Sequence, residues 1–75
     1  ASEKATIYEA LGSVEARIKE SKENIERKKA GAASSKKGSL AALDFNLFVF
    51  AEEERLKAYE AVREDIIAII KIERP

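Results

Sequence analysis

The side chains with chemistry to offer fall into two blocks. Glu52, Glu53, Glu54, Glu60, Glu64 and Asp65 gather in the C-terminal half, while Arg27, Lys28, Lys29, Lys36 and Lys37 gather about the middle. Carboxylates on helices are the hard oxygen ligands that Mg²⁺ and Ca²⁺ take, and in bundles they hold di-iron centres. The di-iron arrangement wants Glu-x-x-His on two helices, and the chain has no His. Glu53, Glu60 and Glu64 share one side of a helical wheel, as acids do on a solvated face. No metal ligand set is expected. The basic block has no acid between Arg27 and Gly38. Its charge suits phosphates, anionic lipid heads or an acidic protein surface, and makes it the candidate anion-binding segment. It is not a phosphate loop, because no Gly-Lys-Ser/Thr follows Gly31 or Gly38.

Covalent and acid–base chemistry lack their usual residues. With neither Cys nor His there is no thiolate nucleophile, no imidazole base and no soft metal ligand. No Gly-x-Ser-x-Gly elbow accompanies the serines. No catalytic or cofactor-binding residue is assigned, and neither an enzyme nor a small-molecule substrate is expected.

The elements that carry these blocks read as helices. Ile7, Leu11, Val14, Ile18, Ser21, Ile25 and Lys28 alternate in steps of four and three, the seam of a heptad. Glu15–Lys19 and Glu23–Arg27 flank it in the favourable i,i+4 order. A helix is predicted over 3–30, with Thr6 to Glu9 as a capping box or Ser2 as an earlier cap. Gly12 weakens it by about 1 kcal/mol relative to Ala without ending it. Gly31 suits the residue after the helix, with Arg27, Lys28 and Lys29 in its last turns where cations are favoured. A polar, basic link spans 31–39, and Ser39 is the predicted N-cap of a second helix.

From Leu40 to Ile72 there is neither Gly nor Pro, so one long helix over 40–72 is predicted. Two rivals stand beside it. The stretch from Asp44 to Phe50 has strand-like composition but no second strand to pair with. A break near Ala51 would give a compact three-helix monomer. On the long helix Leu40, Leu43, Leu47, Phe48, Phe50, Tyr59, Val62, Ile66, Ile69 and Ile70 spread over an arc too wide for one narrow seam to cover. These ten are the candidate partner-binding residues.

The expected fold is therefore all-α: a single small domain forming an antiparallel helical hairpin. Seventy-five residues without disulfides or a structural metal rarely build a sufficient core alone. Completion of a four-helix bundle is expected, by homodimerisation or by a partner helix. Formal net charge is zero, which argues against a dedicated nucleic-acid binder. The longest apolar runs, Leu47–Ala51 and Ile66–Ile70, are far short of the ~20 residues of a membrane span, and Ala1-Ser2-Glu3-Lys4 opens no leader core. A soluble, cytoplasmic chain is the default expectation.

Glu64-Asp65-Ile66-Ile67-Ala68-Ile69-Ile70 resembles the Ile-rich ending of the small helical-hairpin co-chaperones of bacterial type III secretion. The needle subunits of the same systems resemble the layout more loosely, usually with a Pro-containing turn where this chain has Gly31 and Gly38. The resemblance implies a chaperone that shields an aggregation-prone subunit with the apolar face of its second helix.

Overall fold

The computed structural model describes residues 3–73. They form two α-helices, α1 over Glu3–Ser34 and α2 over Leu40–Glu73, packed antiparallel as a hairpin. The rod measures 56 × 17 × 13 Å, with a radius of gyration of 17.0 Å. A compact chain of this length would have a radius of about 11 Å. The three-helix monomer is thereby excluded: α2 passes through Ala51 and Glu52 without a break. The strand alternative for Asp44–Phe50 fails likewise, since every residue of that stretch is helical.

The heptad seam of α1 is where the hairpin closes. Ile18, Ser21 and Ile25 are buried, and Ile7, Leu11, Val14 and Lys28 are half-buried. The seam continues through Lys28. Its ammonium lies 4.8 Å from the centre of the Phe48 ring and 5.6 Å from that of Phe45, a cation held over two aromatic faces.

Helix α1 runs four residues further than its sequence predicts, and Gly31 lies inside it. The reason is packing. A Cβ built on Gly31 would stand 2.8 Å from Cε1 and Cζ of Phe45, so the glycine makes room for that ring. Arg27, Lys28 and Lys29 consequently sit before the last turn, which holds no basic residue. Ser34 and Ser35 end the helix, both donating to the Gly31 carbonyl, at 3.1 and 2.8 Å. At the start, Thr6 is helical, so the capping box is not used; Ser2 lies outside the described residues.

The link turns at Gly38, whose φ of 79° is a left-handed value natural to glycine. Ser39 then caps α2 as predicted, its Oγ accepting from Ala42 N at 3.2 Å. Among the described residues no helix is long and apolar enough to cross a membrane.

Candidate functional site

Helix α2 has two apolar stripes on opposite sides. The inner one comprises Ala42, Phe45, Val49, Glu52, Leu56, Tyr59, Arg63, Ile66 and Ile70, each buried or half-buried, in steps of three and four. It answers the α1 seam in kind. Its two charged members are engaged. Glu52 is only 5% exposed; its Oε1 accepts from the Ser21 hydroxyl at 2.8 Å, and its Oε2 lies 3.5 Å from Arg55 Nη1. Arg63 Nε reaches Glu15 Oε2 at 3.4 Å. The one small polar residue in the α1 seam, Ser21, is thus matched by the one acid in the stripe facing it. A buried carboxylate is costly unless paired and hydrogen-bonded, and both conditions hold here.

The outer stripe has no such cover. Leu40, Leu43, Leu47 and Phe50 succeed one another in steps of three and four, and Val62, Ile69 and Ile72 continue the same side of the helix. At 3.6 residues per turn this side lies nearly opposite Val49 and Leu56. Leu40 and Ile72, at its two ends, are each 80% exposed, and Phe50 is 65% exposed. Ala51, Ala58 and Ala61 keep the middle of the stripe thin.

Nine of the ten candidate partner-binding residues divide between these stripes; Phe48 belongs to neither, its ring lying 4.8 Å from the Lys28 ammonium of α1. Leu40, Leu43, Leu47, Phe48, Phe50, Val62 and Ile69 are exposed. Tyr59, Ile66 and Ile70 are half-buried at inner-stripe positions. A substitution such as Ile66→Asp therefore probes the hairpin, whereas Phe50→Asp probes the free face. Sequence reasoning gives one wide arc where there are two stripes. The signal that separates them is the second heptad in α2, in register with Ser21 and hidden because Glu52 and Arg63 occupy two of its places.

The charged blocks are less concentrated than their sequence suggests. Among the basic residues Arg27 is hydrogen-bonded to Asn24, Lys28 covers the two Phe rings, and Lys29 pairs with Glu53 at 3.8 Å. Lys36 and Lys37 are exposed in the link. Among the acids, Glu52 and Glu53 face α1, Glu54 pairs with Lys57 at 3.2 Å, and Glu64 lies 3.9 Å from Arg63. No group of three or more acids among the described residues is placed to hold a metal ion.

The chain matches no protein-family model, no curated protein and no solved structure.

Proposed function

We propose that this hairpin is a non-enzymatic interaction module that docks a helix from another chain along the outer stripe of α2, on the side of that helix away from α1. The observation that carries the reading is the row Leu40, Leu43, Leu47 and Phe50, all exposed on a helix whose opposite side is already covered by α1. The accessible surface supports it. At 5881 Å² the chain exposes more than the roughly 4,600 Å² of a compact monomer of its mass. The excess is larger than the ~800 Å² that each side of a stable interface buries. Monomers seldom leave a contiguous apolar strip of this kind uncovered.

Sedimentation equilibrium over a range of concentrations tests the reading. The unmodified chain is expected above one-chain mass, and Phe50→Asp is expected at one-chain mass with its helix content kept. If both sediment as single chains and melt alike, the outer stripe does not drive association of this chain.

A further inference from the structure

Resting on that reading, the geometry points to the occupant of the stripe: a second copy of this chain, with its α2 antiparallel to the first and a two-fold axis at the level of Leu56. Three features of the molecule select this arrangement.

The first is the stripe's symmetry about Leu56. Leu40 and Ile72 are equally distant from Leu56 along the chain, as are Leu43 and Ile69, Phe50 and Val62, and Ala51 and Ala61. An antiparallel pair centred there sets each of these against its counterpart, so aliphatic residues meet at both ends and small ones at the centre. Exposed Ala51, Ala58 and Ala61 let the two helices approach closely where the axis passes.

The second is the fate of the three acids in the stripe. In a parallel, in-register pair Asp44, Glu54 and Asp65 would each face its own counterpart, like charges brought together in an apolar strip. In the antiparallel pair Asp44 stands opposite Ala68, and Glu54 stands opposite Ala58, about one turn from the other copy's Glu54 and with Lys57 of the other copy beside it. Asp65 stands opposite Leu47, near Asn46, the one poor match in the series.

The third is the polarity of the rod. Divided at the level of the axis, residues 19–55, the half that contains the link, carry eight basic and seven acidic side chains. Residues 3–18 and 56–73, which form the other half, carry five basic and seven acidic. A net of +1 at one half and −2 at the other attract when two rods run antiparallel and repel when they run parallel.

The chain has no Cys, so introduced thiols are the only ones present. Leu43→Cys and Ile69→Cys proteins are treated with a short bis-maleimide separately and as an equilibrated mixture, with circular dichroism to confirm that each keeps the helix content of the parent. In the antiparallel pair the thiols of two Leu43→Cys chains lie about 39 Å apart, beyond the reagent. The expected result is a covalent dimer from the mixture, in up to about half the chains, and little from either protein alone. Dimer mass with each variant cross-linking to itself would overturn the antiparallel axis and leave the docking stripe intact. Dimer mass without cross-linking in any arm would place the interface elsewhere and overturn the register. One-chain mass throughout would overturn both the second copy as occupant and self-association through the stripe, leaving a different protein to cover it.

Discussion

The two stripes of α2 invert the usual expectation about which residues a fold hides. On the inner stripe a glutamate is 5% exposed; on the outer stripe a leucine is 80% exposed. Hydrophobicity alone does not decide burial in a rod this thin. A two-helix hairpin can cover only the sides that face each other, and everything else stays at the surface whatever its polarity. The inner stripe accepts Glu52 because Ser21 and Arg55 satisfy it. The outer stripe keeps its leucines although they gain nothing from the hairpin. The inner face is thus fitted to α1, and the outer face is the one the proposed partner would cover.

The sharpest way to break this contrast is to place the same charge on each stripe, two residues apart. Val49→Asp puts a carboxylate into the buried core of the hairpin, with no partner provided. It should cost at least about 3 kcal/mol and abolish most of the helical signal at ambient temperature. Leu47→Asp falls on the exposed side. It should keep the helices and remove the dependence of the melting temperature on protein concentration. Circular dichroism melts at several concentrations read both outcomes. Equal loss of helix in the two variants would show that the stripes are not separate structural units.

The polar layer within the inner stripe offers a smaller effect. Ser21→Ala removes the hydroxyl that donates to Glu52 and leaves the carboxylate with the mostly exposed Arg55. Hydrogen bonds to charged groups contribute about 1.5–3 kcal/mol, so a loss of about 2 kcal/mol is expected by chemical denaturation. Combining it with Glu52→Leu should restore most of that stability, because no buried charge is then left to satisfy. Additive losses in the double variant would mean that the pair does not act as a unit.

On the outer stripe, Asp65 offers a test in the opposite direction. If it faces Leu47 of a second copy, Asp65→Leu replaces a poor match with an apolar contact at two symmetric places. The dissociation constant of the dimer should fall about tenfold or more. Glu64→Leu, one residue away on the solvated side, should change it far less. Analytical ultracentrifugation of the two variants side by side separates register-specific packing from added stickiness.

Much of this architecture was legible in the residues. Steps of four and three from Ile7 to Lys28 mark a one-sided helix whatever its neighbours are, and Ser39 announces α2 because a serine oxygen can take an orphan N–H. The end of α1 was not legible. A glycine after a helix and a glycine beneath an aromatic ring are the same letter, and only the position of Phe45 across the hairpin distinguishes them. The inner stripe of α2 was hidden for a related reason. Glu52 and Arg63 read as surface residues until Ser21 and Glu15 are brought opposite them, which is a fact of pairing and not of local composition. The free face was legible as an excess of apolar residues, but its outline emerged only once α1 had claimed its share.

The gentlest substitution distinguishes a covered position from a free one with a single methyl group. Gly12 has open space around a built Cβ, whereas at Gly31 the Cβ meets the Phe45 ring at 2.8 Å. Both glycines are helical, so in an isolated helix Ala would stabilise each by about 1 kcal/mol. Gly12→Ala should show that gain in full. At Gly31 the ring must retreat, and Phe45 is tied into the inner stripe and lies beside the Lys28 ammonium. Overpacking of this kind costs about 1–3 kcal/mol, enough to cancel the gain in helix propensity and leave a net loss. Urea denaturation of the two variants should therefore move in opposite directions from the parent. Equal stabilisation would mean that Phe45 is free to shift, and that the link end of the hairpin is packed more loosely than the seam around Ile18, Ser21 and Ile25.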